Sequence, residues 1–113
     1  MLIRKRKNHL EDSFQRQVVN LLRNYYHLLV FAVPNGGSRN AIEASNLKKQ
    51  GVLAGVADLI VVKKNKVIFL ELKVGKNKQS DYQLEFQKQV EDLGHKYFLC
   101  YDLDDVIKVV ENE

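Results

Sequence analysis

The chain has little cysteine, no clustered histidine and no long apolar segment. It has a single cysteine, Cys100 in an apolar run, and one cysteine excludes an internal disulfide framework. The three histidines lack the spacing of metal ligands. No apolar stretch is long enough to span a membrane, and the N-terminus turns basic and then polar, unlike a signal peptide. These absences predict a cytoplasmic protein without a membrane-spanning segment.

Length and composition fit one ordinary globular domain. A chain of 113 residues can bury roughly two thirds of the surface it exposes when unfolded, and no second domain fits in that length. Lys and Arg number 18 against 14 acidic residues, a formal charge of +4. This charge favours a polyanionic partner but is too small to identify one.

Hydrophobic spacing predicts four helices and four strands. In chain order the predicted elements are a helix over 10–26, a strand over 28–33, a helix over 40–50, two strands within 55–62 and 67–73, a helix over 81–93, a strand over 97–101 and a last helix through 110. The predicted apolar stripes are Phe14, Val18, Leu21, Leu22 and Tyr25 on the first helix, and Tyr82, Phe86, Val90 and Leu93 on the third. The order predicts an α/β fold with a mixed central sheet flanked by helices.

The most informative stretch is a predicted hairpin that carries charge inside apolar strands. Its strands lie in residues 55–62 and 67–73, which are rich in β-branched and large apolar side chains. Because side chains alternate along a strand, Glu71 and Lys73 point to one face, and Asp58 stands at the entry to the neighbouring strand. The opposite face carries Ile68, Leu70 and Leu72. One aspartate, one glutamate and one lysine can therefore meet at one end of the hairpin.

Two carboxylates and a lysine in this arrangement suit the cleavage of a phosphodiester. Carboxylate oxygens can hold Mg²⁺ or Mn²⁺, which keeps several waters and binds a phosphate oxygen. A nearby ammonium can sit by the attacking water or the charge that develops on phosphorus. The alternative is a surface hairpin whose charges are only solvated. Because Glu71 and Lys73 interrupt an apolar run, the pattern favours the catalytic interpretation.

Asp58 followed by Glu71-Leu72-Lys73 resembles the PD-(D/E)xK nuclease superfamily, and the flanking residues resemble its virus-type replication-repair nuclease (VRR-NUC) branch, as a standalone phage-like member. The matching pieces are Glu11-Asp12-Ser13-Phe14-Gln15, Val33-Pro34-Asn35-Gly36-Gly37, Leu47-Lys48-Lys49-Gln50-Gly51, Gly55-Val56-Ala57-Asp58-Leu59 and Ser80-Asp81-Tyr82-Gln83. One departure is Ala57, where the family usually has proline before the aspartate. This change affects the rigidity of the loop rather than the metal ligand.

The resemblance implies a restriction-endonuclease-like fold, with a basic arm over residues 1–9 and one nuclease domain over residues 10–113. It implies that Asp58 and Glu71 hold one or two Mg²⁺ or Mn²⁺ ions and that the backbone carbonyl of Leu72 completes the shell. Lys73 would position or deprotonate the attacking water.

Two further residues are predicted to assist this site. The resemblance makes Glu11 a third acidic contributor, acting directly or through water. The alternative is an acidic first turn favoured by the helix dipole, an interpretation that Asp12 fits just as well. Gln83 lies beside the apolar stripe of its helix, where its amide could orient a water or a phosphate oxygen. The alternative is a partly exposed glutamine at the helix edge, which suits Gln87 better.

Predicted DNA contacts lie in a loop, a helix end and the N-terminal arm. The loop places the amide of Asn35 and the guanidinium of Arg39 beside two glycines that allow a close backbone approach. Lys48 is a candidate phosphate contact, although a solvated helix end is an equal alternative. The arm carries a block of cations that suits phosphate binding without sequence preference, namely Arg4, Lys5, Arg6 and Lys7. By contrast, helix capping accounts for Asp102, Asp104 and Asp105.

Isolated members of the family resemble Holliday-junction resolvases and act as homodimers. The resemblance therefore implies a metal-dependent endonuclease of DNA repair that selects branched DNA, acting in the host-cell cytoplasm if phage-encoded. Two alternatives remain open: a flap-directed or non-selective DNA nuclease with the same site, and a non-catalytic DNA-binding subunit.

Overall fold

The fold is built around one mixed sheet. The computed structural model describes residues 9–34 and 40–113, and within them the chain forms four α-helices and four strands. The strands are β1 Leu29–Ala32, β2 Leu59–Lys63, β3 Lys66–Leu72 and β4 Lys96–Cys100. The helices are α1 His9–Asn20, α2 Ala41–Lys49, α3 Asp81–Asp92 and α4 Leu103–Asn112, and a π-helical turn, Leu21–Tyr25, continues α1. The predicted fold class and element order are confirmed.

The register of the sheet brings the two ends of the predicted hairpin strands together. The strand order is β1-β2-β3-β4, with antiparallel pairing from β1 to β3 and parallel pairing of β4 with β3. Leu59 pairs with Leu70, so the entry to β2 lies beside the exit of β3. The turn uses Asn65 at φ 64°, a left-handed conformation that asparagine tolerates. No helix in the described part of the chain is long and apolar enough to cross a membrane.

Apolar side chains pack on both faces of this sheet. Helices α1 and α4 cover one face, where Val18, Ile68 and Val106 are completely buried. The other face carries a smaller cluster of Ala57, Val90 and Tyr97, with Phe69 and Phe86 packed against it. Each fully buried aliphatic side chain contributes about 1.5–3 kcal/mol. Because strand side chains alternate, Glu71 shares the second face, which α3 covers.

Two of the predicted apolar stripes are wrong at their ends. Tyr25, Tyr82 and Leu93 are 71%, 69% and 75% exposed. The π-helical turn rotates Tyr25 away from the 3.6-residue period, and Leu93 follows the last residue of α3. In the first turn of α3 it is Gln83 that reaches the sheet, and adjacent helical residues point about 100° apart. Tyr82 therefore stays outside the core.

Candidate active site

One backbone and one side-chain hydrogen bond hold Asp58 against both neighbouring strands. Its carbonyl accepts a hydrogen bond from the N–H of Val33 at 3.1 Å, just beyond β1. Its carboxylate Oδ2 accepts from the N–H of Leu72, in β3, at 2.8 Å. The structure thus brings Asp58 to the Glu-Leu-Lys segment, with its carboxylate bonded to the middle residue of the three.

Glu71 is buried rather than solvated. It is 1% exposed, and its Oε2 accepts a hydrogen bond from Nε2 of Gln83 at 2.9 Å. The Lys73 ammonium lies 3.6 Å from the same oxygen. The other oxygen, Oε1, is buried and has no hydrogen-bond partner among residues 9–34 and 40–113. The alternative of a surface hairpin with merely solvated charges is therefore wrong.

The electrostatics of Glu71 follow from this placement. Burial, and then the negative charge of Asp58, raise the pKa of Glu71 to about 8, while the Lys73 ammonium and the backbone N–H of Asp58 act in the opposite direction with smaller effects. The lysine therefore compensates the two carboxylates only in part. A proton or a cation at this position would relieve the remaining repulsion.

The donor set fits a small, hard divalent cation. Mg²⁺ is commonly held by one or two protein carboxylates, with waters and phosphate oxygens in the other positions. Asp58 could supply one carboxylate, and Oε1 of Glu71, which has no partner in the described part of the chain, could supply a second ligand atom. Within the described ranges no group of three or more His, Cys, Asp or Glu side chains is placed to hold a metal. The role of Glu11, which lies in the acidic first turn of α1, stays a prediction.

Gln83 is held in one orientation by the start of its own helix. Its Oε1 accepts from the N–H of Ser80 at 2.8 Å, and its own N–H donates to Oγ of Ser80 at 3.2 Å. This capping box leaves Nε2 to donate to Glu71. Gln83 is thus hydrogen-bonded to Glu71 and is not merely a partly exposed glutamine at the helix edge. The positioning by Ser80 was missed, although Ser-x-x-Gln is a readable capping pattern.

The loop before Asp58 is packed against the same helix end. Gly55 has φ 88°, and a Cβ built there would collide with the backbone carbonyl of Tyr82 and lie 2.9 Å from the backbone nitrogen of Gln83. Only glycine permits this approach. The loop and the first turn of α3 therefore set each other's positions.

A polar network behind the site was also missed by the sequence analysis. Nε2 of Gln79 donates to Oε1 of Gln87 at 2.9 Å and to the phenol oxygen of Tyr97 at 3.1 Å. Burial raises the pKa of Tyr97, and the charge of Glu71 raises it further. These side chains meet only through the tertiary fold, so no local pattern predicts the contact.

The other predicted residues have different outcomes. Lys48 lies exposed in the last turn of α2, and its contact with DNA stays a prediction, as does the use of the Leu72 carbonyl. The predicted capping is confirmed for Asp102, whose Oδ1 accepts from the N–H of Asp105 at 2.9 Å. The remaining DNA contacts lie outside the described residues, namely Arg4, Lys5, Arg6, Lys7, Asn35 and Arg39.

Comparison with known proteins identifies the fold. No protein-family model matches the sequence, and no curated protein matches it significantly. A solved structure described as a VRR_NUC domain protein matches with a TM-score of 0.73 and 22% identity, over 94% of this chain and 88% of that one. The likeness confirms the resemblance at the level of the fold: this chain has the fold of a VRR-NUC domain.

Proposed function

We propose that this protein is a metal-dependent DNA endonuclease of the VRR-NUC type, with Asp58, Glu71 and Lys73 at its catalytic centre. The observation that carries the proposal is the buried Glu71 carboxylate, which has one oxygen without a partner among the described residues and a second carboxylate beside it. Burying such a group is costly unless a proton or a cation compensates it, and an apolar residue would serve a purely structural purpose better. The likeness to a VRR_NUC domain protein supports nuclease chemistry.

In the proposed mechanism each residue has a separate task. Asp58, Glu71 and the Leu72 carbonyl would hold Mg²⁺ or Mn²⁺, which when bound would polarise the phosphate and lower the pKa of a water. Lys73 positions or deprotonates the attacking water. Gln83 fixes Oε2 of Glu71 and leaves Oε1 for the cation. Glu11 assists from α1, directly or through water.

Branched DNA is the proposed substrate, bound by a homodimer. Two copies related by a two-fold axis would present two sites, as cleavage of paired strands requires. The cations of the N-terminal arm, with Arg39 and Lys48, would contact phosphates without reading sequence. Selectivity would then come from the shape of the branch, and affinity would fall steeply as salt rises.

Cleavage of matched DNA substrates tests this proposal. A four-way junction, a flap and a linear duplex of one sequence are incubated with Mg²⁺ or with excess chelator. We expect paired nicks on opposing strands of the junction, none in chelator, and a dimer by sedimentation. Asp58→Asn, Glu71→Gln and Lys73→Ala should each lower the rate at least about 100-fold while junction binding persists.

The other outcomes separate the alternatives. A monomer that cuts flaps as readily as junctions would refute the resolvase-like assignment and leave the nuclease chemistry standing. Junction binding without cleavage in Mg²⁺ would favour a non-catalytic DNA-binding subunit. Full cleavage in chelator would refute the metal mechanism.

A further inference from the structure

An exposed aromatic side chain stands immediately beside the candidate active site. Tyr82 is 69% exposed, although it precedes Gln83, whose amide donates to Glu71. Its backbone carbonyl packs against Gly55, in the loop that leads to Asp58. The backbone of Tyr82 is therefore fixed relative to both carboxylates while its ring faces solvent.

Tyr82 is one of the residues that line a groove of about 390 Å³ between α3 and the segment that follows α2. Val52 and Leu53, also in the lining, are 46% and 52% exposed, so the groove gathers several apolar side chains that the core does not use. Isolated exposed apolar residues need no explanation, whereas a grouped set in a concave surface marks a binding site.

The chemistry of the groove distinguishes between the parts of a nucleic acid. Its lining includes Lys48, a cation suited to a phosphate, and Glu85, a carboxylate that would repel one. A neutral, flat nucleobase suits the apolar and aromatic surface better than the sugar-phosphate backbone does. Stacking on an exposed aromatic ring is a common way of holding an unpaired base, and it is tolerant of sequence.

We propose that this groove receives an unstacked base of the DNA strand whose phosphate lies at Asp58 and Glu71, with the Tyr82 ring stacked on that base. The inference rests on the proposed nuclease function and deepens it, because it names the feature of branched DNA that is recognised. A base freed at a branch point is available for stacking, and a base inside a continuous duplex is not.

Binding measured without turnover tests the inference. A four-way junction with 2-aminopurine at the branch, and a linear duplex with the same probe, are titrated with the full chain in Ca²⁺. We expect the native protein to quench the fluorescence of the branch probe and Tyr82→Ala to abolish this quenching. Tyr82→Ala should also weaken binding to the junction about 5- to 150-fold and change binding to the duplex little. Tyr82→Phe should behave like the native protein, because stacking needs the ring and not the hydroxyl.

Tyr25→Ala is the matched control, since Tyr25 is 71% exposed and follows α1, which packs on the opposite face of the sheet. Native binding by Tyr82→Ala would overturn the inference, and so would an equal loss on junction and duplex. Loss of the dimer on sedimentation of Tyr82→Ala would assign the groove to a second copy and also overturn it. The nuclease proposal is judged separately: quenching without cleavage in Mg²⁺ would refute the nuclease and keep the base site.

Discussion

The raised pKa of the Glu71 carboxyl group should make the stability of the metal-free protein depend on pH. The pKa of Glu71, raised to about 8, exceeds its ordinary value near 4.5. Between these two pH values the folded chain keeps a proton that the unfolded chain releases. The free energy of unfolding should therefore fall as pH rises through this window, by an amount on the order of a few kcal/mol.

Urea unfolding in chelator at pH 5.5 and pH 8.5 measures this effect. Glu71→Gln keeps the shape of the side chain without its ionisation and should flatten the dependence. The exposed Glu43→Gln is the control and should leave the native dependence in place. An unchanged pH dependence in Glu71→Gln would contradict the electrostatic account of this residue.

At the scale of the element, the first turn of α3 couples helix capping to the candidate active site. Gln83→Ala removes the hydrogen bond to Glu71 and should lower activity about 10- to 100-fold, because the amide of Gln83 orients a carboxylate proposed to bind the metal. Ser80→Ala removes only the cap and should cost about 1 kcal/mol of stability while most activity remains.

Denaturant melts and single-turnover rates of these variants separate the two roles. Gln87→Ala, one turn further along the helix, should have little effect on cleavage because its amide bonds to Gln79 and Glu91 rather than to Glu71. Equal losses of activity in the Gln83 and Gln87 variants would mean that the bond to Glu71 has no special role.

Gly55 and Gly94 have nearly the same φ angle, 88° and 89°, but only at Gly55 would a Cβ meet α3. Comparing alanine substitutions at the two positions therefore measures the contact between the loop and α3. Gly55→Ala should destabilise by about 2 kcal/mol or more, because its Cβ would meet the Tyr82 carbonyl. Gly94, with φ 89°, has nothing within 4 Å of a built Cβ, so Gly94→Ala carries the backbone strain alone, about 1 kcal/mol. Thermal or urea unfolding measures both, and equal losses would argue against the collision.

The hairpin was predictable because its information is local. Alternation along β3 predicted that Ile68, Leu70 and Leu72 share a face, and they are completely or almost completely buried together. The position of Tyr82 was not predictable from the helical period, since Gln83 reaches the sheet only through a contact with Glu71, 12 residues away in the chain. The burial of Glu71 likewise depends on α3, which the strand pattern does not contain.

At the scale of the whole molecule, the choice of metal should follow the all-oxygen donor set. Mg²⁺ and Mn²⁺ should support cleavage, while Ca²⁺ should bind and support little turnover, because its flexible coordination suits the reacting phosphate less well. Zn²⁺ should not be a structural component. Thermal shift assays with each metal, beside cleavage assays, test this, with Glu71→Gln as the variant expected to lose the metal-induced shift.

The sheet also separates the end of the molecule that carries the two carboxylates from a distant end. The carboxylates lie where β2 begins and β3 ends, whereas the turn of the hairpin, at Lys64 and Asn65, lies beyond the five residues of β2. Asp58 and Lys64 are six positions apart, so at about 3.3 Å per residue the turn lies about 20 Å from the carboxylates. Both turn residues are exposed. A dye, a surface tether or a fused domain attached there would leave the carboxylates unobstructed. This turn is therefore a suitable attachment site for single-molecule experiments.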